Sequence, residues 1–275
     1  MFEGKSCSHF RAFTSRTRLY GLFADPVEHA QTPAILNALL AQRGVDAVFV
    51  ALHVTAEHFA ATVAGMRHLR NFAGYGVGMP HKTMAACLCD ELSPNARACG
   101  VVNVIHVDPD GRWVGETFDG VGMVRALTAQ RTLDATTRVL LVGAGGAGRA
   151  IAVALALAGV GYVAIANRTQ AKAEELAHTV QRAAPACVVE AGSVFDPAPF
   201  NIIINATTLG LHGQGPLPVD VARVSATALV ADVLMVPEMT PLLHVARTRG
   251  LRIVRGSEML SQQVEAVADF LGMTG

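Results

Sequence analysis

The stretch from Arg138 to Thr169 constrains the fold more than any other part of this 275-residue chain. It reads Arg138-Val-Leu-Leu-Val-Gly-Ala-Gly-Gly-Ala-Gly148, then an apolar segment from Ala150 to Ala158, then Tyr162-Val-Ala-Ile-Ala-Asn-Arg-Thr169. The pattern predicts strand, glycine turn, helix and second strand, the unit on which open parallel sheets carry a dinucleotide. Gly143, Gly145 and Gly148 hold the three fingerprint positions. The first permits a tight turn, the second lets a pyrophosphate approach bare backbone, and the third lets the helix pack on its strand. The helix start offers free N–H groups and a positive dipole end to phosphates. Cofactor contacts are therefore expected along Gly143, Ala144, Gly145, Gly146 and Ala147.

The end of the second strand says which dinucleotide. NAD-binding units usually place Asp or Glu about twenty residues past the glycines, to hold the ribose 2′-hydroxyl. Here the position carries Asn167, followed by Arg168 and Thr169, with Lys172 a few residues on. An acid would repel a 2′-phosphate, whereas a guanidinium and an ammonium attract it. The expected cofactor is NADP. The competing reading is a solvated helix start with Thr169 as its N-cap.

Composition agrees with a soluble enzyme: 51% of residues are apolar, and 22 basic residues balance 22 acidic ones for a net charge of +0. No basic surface calls for nucleic acid, and no apolar run is long enough to span a bilayer without interruption. The 5 cysteines fit no zinc spacing and read as reduced packing residues of a cytoplasmic protein, and no metal site is expected. Residues 1–17 are rich in Ser, Thr and Arg. They faintly resemble a transit segment but read better as a flexible tail.

The chain divides near Asp119. Residues 18–119 are expected to form an α/β substrate domain with a mostly parallel sheet, and residues 120–255 a Rossmann domain. Residues 256–275 are expected to return to the first domain as a C-terminal helix. Arg18–Phe23 and Ala47–His53 read as buried strands. Helices are expected from Thr32-Pro33 and over Thr55–Leu69, with a hairpin around Asp108-Pro-Asp-Gly-Arg112. After a linking helix to about Ala129, strands are expected at Cys187–Glu190, Asn201–Asn205, Leu229–Val233 and Leu251–Val254. A helix starts at Thr240-Pro241, and a last one covers Glu258–Leu271 with Val264, Val267, Ala268 and Leu271 on its apolar side.

With a nicotinamide cofactor the remaining needs are a proton relay at the reacting oxygen and anchors for the substrate. Lys82 follows the glycine-rich strand exit Gly74-Tyr-Gly-Val-Gly-Met-Pro-His-Lys82, and Asp119 lies at the domain junction in Gly115-Glu-Thr-Phe-Asp-Gly120. A Lys–Asp pair across a cleft could orient the amine and share hydroxyl protons. By spacing alone each reads more readily as a surface charge. His53, His58 and His68 read as exposed element ends, His212 as part of an exposed loop, and Trp113, Met235, Met239 and Met259 as packing residues.

From Tyr20 onward the chain resembles the shikimate dehydrogenase family, including its quinate-acting and shikimate dehydrogenase-like branches. Gly74 to Lys82 resembles the family's Gly-x-Asn-Val-Thr-x-Pro-Phe-Lys, and Gly100-Val-Val-Asn103 its Gly-Ala-Val-Asn. Gly115 to Gly122 resembles Gly-x-Asn-Thr-Asp-Gly-x-Gly, and Asn167-Arg-Thr169 its NADP clamp. Asn205-Ala206-Thr207 resembles the Asn-Ala-Thr loop near the nicotinamide, and Gly256-Ser-Glu-Met-Leu-Ser-Gln-Gln263 continues the pattern. The resemblance implies Lys82 and Asp119 as catalytic residues. It implies Thr32, Asn103 and Gln263 as substrate ligands, and Asn205, Ala206, Thr207 and Gly256 as cofactor contacts. The implied reaction is hydride transfer between NADP(H) and a ring hydroxyl or ketone of shikimate, quinate or a related polyhydroxy cyclic acid, by a monomer or homodimer.

The departures gather in the substrate pocket. Where the family has His-Ser-x-Ser-Pro, this chain has His29-Ala30-Gln-Thr32-Pro33. The family asparagine and threonine before the lysine become Gly76 and Gly78, a tyrosine becomes Met235, the phenylalanine beside the lysine becomes His81, and a later glycine becomes Glu258. A hydrogen bond to a charged group contributes about 1.5–3 kcal/mol. Two lost donors to a carboxylate thus predict roughly hundred- to ten-thousand-fold weaker shikimate handling, at about 1.4 kcal/mol per tenfold. His81 is the expected replacement donor, and Gly76 and Gly78 are expected to make room. Altered specificity is favoured over efficient shikimate reduction. Two other readings are a catalytically weak NADP-binding sensor on the same scaffold and a methylenetetrahydrofolate dehydrogenase, to which the segment Gly100–Gly122 fits poorly.

Overall fold

The computed structural model describes residues 13–274. Its first half runs β1 (Arg18–Ala24), α1 (Thr32–Gln42), β2 (Ala47–His53), α2 (Phe59–Met66), β3 (Phe72–Val77), α3 (Lys82–Leu88), β4 (Glu91–Leu92), α4 (Pro94–Cys99), β5 (Val104–Val107) and β6 (Trp113–Glu116). These strands form one sheet in the order β2-β1-β3-β5-β6-β4. β1 pairs parallel with β2 and β3, and β4 with β6, while β5 runs antiparallel to both β3 and β6. The expected hairpin is the β5–β6 pair, closed where Asp108 N donates to Arg112 O at 3.0 Å.

Helix α5 (Asp119–Thr128) leads into the second sheet. This half runs β7 (Arg138–Val142), α6 (Gly146–Leu157), β8 (Tyr162–Ala166), α7 (Gln170–Ala183), β9 (Val188–Gly192), β10 (Ile202–Asn205), β11 (Leu229–Asp232), α8 (Pro241–Thr248) and β12 (Arg252–Val254). The order β12-β11-β10-β7-β8-β9 is parallel throughout. It is the doubly wound order, whose direction reverses between β7 and β10. Ligands of such sheets lie outside the carboxyl ends of the strands at that reversal.

The chain ends in α9 (Gly256–Ser261) and α10 (Val264–Phe270). As expected, α10 returns to the first sheet: Val267, Ala268 and Leu271 share a core with Tyr20, Leu36 and Phe49. Tyr20 Oη donates to Leu271 O at 3.1 Å. The single helix expected over Glu258–Leu271 is instead broken at Gln262 and Gln263. Gln263 accepts a hydrogen bond from Asn103 across the molecule, a tertiary tie that helical periodicity does not carry. The helix expected over Thr55–Leu69 is shortened to α2 because Thr55 and His58 close a local turn, with His58 N donating to Thr55 O. Helix α4 is an element beyond those expected; Ser93 caps it by accepting from Ala96 N and Pro94 opens it.

Of the segment expected to be a tail, residues 1–12 lie outside the described residues. Thr17 is buried and its hydroxyl donates to Asp46 at 2.9 Å. Among the described residues no helix is long and apolar enough to cross a membrane, and no three His, Cys, Asp or Glu side chains are grouped to hold a metal ion. Cys87, Cys89, Cys99 and Cys187 are free thiols.

Candidate active site

The end of β7 turns on Gly143, whose φ of 110° belongs to the left-handed region that favours glycine. A Cβ there would stand 2.8 Å from the Ala206 carbonyl, so the turn lies directly on the segment that follows β10. A Cβ at Gly148 would stand 2.1 Å from Gly143 O, which is the close helix–strand packing expected of the third glycine. At Gly145 nothing lies within 4 Å, leaving bare backbone open at the start of α6. Arg168 and Thr169, just past β8, and Lys172, in the first turn of α7, are exposed, and neither cation has an ion-pair partner among the described residues. A phosphate-bearing dinucleotide fits this cradle: open amides at a helix start, and two unpaired cations beside the ribose position.

Asn167 braces the turn itself. Its Oδ1 accepts from Ala144 N at 3.2 Å and its Nδ2 donates to Thr169 O at 2.8 Å. Thr169 stands at the N-cap position of α7 without a side-chain capping bond. Asn205 is fully buried. Its Oδ1 accepts from Thr207 N and Thr207 Oγ1, and its Nδ2 donates to Leu209 O and to Asp232. The 206–207 loop over Gly143 is thus held from below. Asp232, which sequence reasoning missed, also accepts from Thr240 Oγ1 at 2.8 Å and Leu234 N at 3.1 Å. Burial pushes its carboxyl above the usual carboxylate range, and these hydrogen bonds hold it back. An acid closing the apolar strand Leu229–Asp232 was the local signal. At Gly256 a Cβ would meet Leu234 O at 2.4 Å, so this glycine serves the contact between α9 and the segment after β11.

Between the two sheets lies a cleft of about 310 Å³. Lys82, at the start of α3, donates from Nζ to Asp119 Oδ2, at the start of α5. Both side chains are largely buried, at 16% and 8% exposure. Asn103 Nδ2 donates to Asp119 Oδ1 at 2.9 Å and to Gln263 Oε1 at 3.2 Å, while its Oδ1 accepts from Phe118 N. Four separated segments therefore converge on one polar cluster. Two glycines set its position. A Cβ at Gly120 would stand 2.3 Å from Ala150 O, so α5 lies bare against α6. At Gly146 a Cβ would stand 3.0 Å from Lys82 Cβ, so the lysine stem packs on the first turn of the cofactor helix.

Thr32, Ala30, Gly78 and Met235 line the same cleft. His81 does not. Its Nε2 lies 2.7 Å from Val54 O and its ring stacks on Phe59 with centroids 4.2 Å apart, which turns it away from the expected donor role. Gly76 and Gly78 do not simply make room either, because β1 fills the space beside them: a Cβ at Gly78 would stand 2.9 Å from Ala24 Cβ. His212 sits in an exposed turn at φ 57°, its ring 4.3 Å from that of His29. Trp113 and Met259 are buried core residues, whereas Met235 lines the cleft.

Burial lowers the His81 pKa, against the opposing pull of its bond to Val54 and the charge of Asp25. A base held neutral in the fold contributes stability above its unfolded value of about 6.5, and that contribution is lost as pH falls toward the depressed value. His106 is lowered by burial in the same sense. Thermal stability is expected to decline between pH 7.5 and 5.5, and less steeply in His81→Phe, which keeps the stacked ring but cannot titrate. Equal pH slopes for the two proteins in calorimetry would contradict this assignment.

Residues 22–105 match the model of the shikimate dehydrogenase substrate binding domain, and residues 127–208 that of shikimate / quinate 5-dehydrogenase. The shikimate dehydrogenase (NADP(+)) of Lysinibacillus sphaericus is 36% identical over 246 residues, covering 89% of this chain and 88% of that one. Among solved structures, the ligand-free 5-ketofructose reductase of a Gluconobacter strain superposes with a TM-score of 0.82 at 32% identity, covering 95% of both chains. A shikimate dehydrogenase in complex with NADP+ gives a TM-score of 0.86 at 31% identity, covering 95% of this chain and 92% of that one.

Proposed function

The chain belongs to the shikimate dehydrogenase family, and on that premise we propose that it is an NADP-dependent alcohol dehydrogenase. Its substrate is a small polyhydroxy compound of the shikimate and quinate class, with shikimate itself handled weakly. The observation that carries this reading is the Lys82–Asp119 pair, buried in the cleft and packed through the lysine stem on the first turn of the cofactor helix. The nicotinamide, when bound, supplies or accepts the hydride. Lys82 Nζ gives a proton to the ketone oxygen as it becomes a hydroxyl and takes it back in the oxidative direction. Asp119 orients the amine and keeps its charge compensated. Asn103 Oδ1, which accepts from Phe118 N, has a second lone pair to accept from a substrate hydroxyl, Gln263 and Thr32 offer further polar contacts, and the apolar remainder of the cleft excludes water.

Weak shikimate handling follows from the cleft wall. Ala30 and Met235 donate no hydrogen bond, and His81 is committed to Val54. Arg168 and Lys172, exposed and without an ion-pair partner among the described residues, support NADP over NAD. The test is NADP-linked oxidation of shikimate and quinate, with NAD as control and NADPH-linked reduction of 5-ketofructose alongside. Turnover with NADP is expected, with saturation by shikimate only at high concentration. Absence of turnover on the whole panel, with NADPH bound, would reject the enzyme reading in favour of a sensor. In the same assay Arg168→Ala is expected to weaken NADPH binding about 10- to 150-fold, the equivalent of one charge-assisted hydrogen bond, and to leave NADH binding unchanged. Equal losses for both nucleotides would remove Arg168 from the 2′-phosphate site.

A further inference from the structure

The wall of the cleft facing β3 has its bulk on the wrong strand for holding an anion. Gly76 and Gly78 are two apart on one side of the chain, as are Leu22 and Ala24 on the neighbouring parallel strand β1, and all four line the cleft. The two sets interlock. A Cβ at Gly76 would stand 3.0 Å from Leu22 Cδ1 and 3.4 Å from Phe49 Cζ, and one at Gly78 stands 2.9 Å from Ala24 Cβ. A side chain at Gly76 or Gly78 that could carry a donor into the cleft is therefore displaced by hydrocarbon from β1 and β2. Among the described residues, the ionisable side chains lining the cleft apart from His29 are Lys82 and Asp119, which are bonded to each other and sum to zero charge. On this wall a carboxylate meets no donor from Ala24, Ala30, Gly78 or Met235, which leaves His29 and Thr32 as the polar lining side chains outside the Lys82–Asp119–Asn103–Gln263 cluster, and burying an under-compensated ion is unfavourable.

We propose that this cleft selects an uncharged polyhydroxy ketone or alcohol over its carboxylate analogue, and that Ala24 and the Leu22–Phe49 pair, closed onto Gly78 and Gly76, are its specificity-determining residues. The proposal rests on the dehydrogenase reading above and names the substrate class of that same site. The hydroxyls of such a substrate meet Lys82, Asp119, Asn103 and Gln263, and its uncharged remainder lies against Leu22, Ala24 and Phe49.

Shikimate, its methyl ester and its primary amide share the ring hydroxyls and differ in charge, so NADP-linked oxidation of the three at pH 8 isolates that difference. The ester and amide are expected to show kcat/KM at least about tenfold above the acid, by the worth of one charge-assisted interaction. An acid turned over as well as or better than its neutral analogues overturns the proposal and leaves the family reading standing. If His29→Asn abolishes that preference for the acid, the overturned countercharge argument is traced to His29. Turnover of none of the three with no reduction of 5-ketofructose overturns both the proposal and the dehydrogenase reading, whereas reduction of 5-ketofructose alone supports the neutral class.

The interlock is tested by Gly78→Thr, alone and with Ala24→Gly. The single variant is expected to lose activity and thermal stability, because its Cβ meets that of Ala24. The double variant is expected to recover both and to move the ratio about tenfold or more toward the acid, through the added hydroxyl. A double variant that regains its wild-type melting temperature with an unchanged ratio removes Ala24 and Gly78 from the specificity determinants.

Discussion

Lys82→Ala is expected to lower kcat by about 10²–10⁴-fold, the range over which a positioned proton donor acts, while NADPH binding stays within about twofold of wild type. The amine is directed at Asp119, and only the stem touches the cofactor helix at Gly146. Lys82→Met keeps that stem and is expected to show the same loss of turnover. Stability falls as well, because Asp119 is left in a buried site with only the amide of Asn103 as side-chain partner. Breaking a buried pair from one side costs about 3–5 kcal/mol. Lys82→Ala/Asp119→Asn removes the stranded charge, so it should regain much of the melting temperature and none of the activity. Single-turnover absorbance measurements with calorimetry separate the two effects. Wild-type turnover in Lys82→Ala would end the assignment.

Gly148→Val acts on the other half of the site. Its Cβ would stand 2.1 Å from a backbone oxygen and 3.0 Å from the adjoining carbon of Gly143, and neither atom has a rotamer to escape into. Helix α6 must lift from β7 or the turn must open, and overpacking of this kind costs about 1–3 kcal/mol or more. A loss of several degrees in melting temperature and at least about a hundredfold in NADPH affinity is expected, as two or more phosphate contacts are misplaced. Gly145→Ala is the contrast: its Cβ meets nothing within 4 Å, so the melting temperature holds while the methyl group stands where a pyrophosphate would approach. If titration with NADPH found both variants binding normally, the glycine turn would not be the phosphate site.

These contrasts mark what the sequence made legible. The dinucleotide unit could be read because its determinants are local: three fingerprint glycines within six residues, an apolar strand before them, and a ribose selector one strand later. The substrate side could not be read from spacing. Lys82 and Asp119 are 37 residues apart and Asn103 and Gln263 are 160, so the cluster exists only once the sheets and α5 are in place. The family resemblance named those four residues. It did not reveal that His81 stacks on Phe59, that Asn205 braces its loop through Asp232, or that β1 fills the space left by Gly76 on β3 and Gly78 just past its end. Each of these depends on a contact between strands or layers that no periodicity encodes. The break between α9 and α10 is of the same kind, fixed by a partner at Asn103.

The return of α10 to the first sheet also orders events during synthesis. Tyr20, Leu36 and Phe49 are made more than two hundred residues before Val267, Ala268 and Leu271, which build one wall of their core. Some 150 residues separate the end of β6 from the start of α10, which a ribosome takes roughly 7–30 s to add at about 5–20 residues per second. Throughout that interval the nascent first sheet carries an uncovered apolar face, while the second sheet can complete its own core and crevice. The cofactor half is thus able to mature while the substrate half is still open, and Gln263 joins Asn103 only when the last helices emerge.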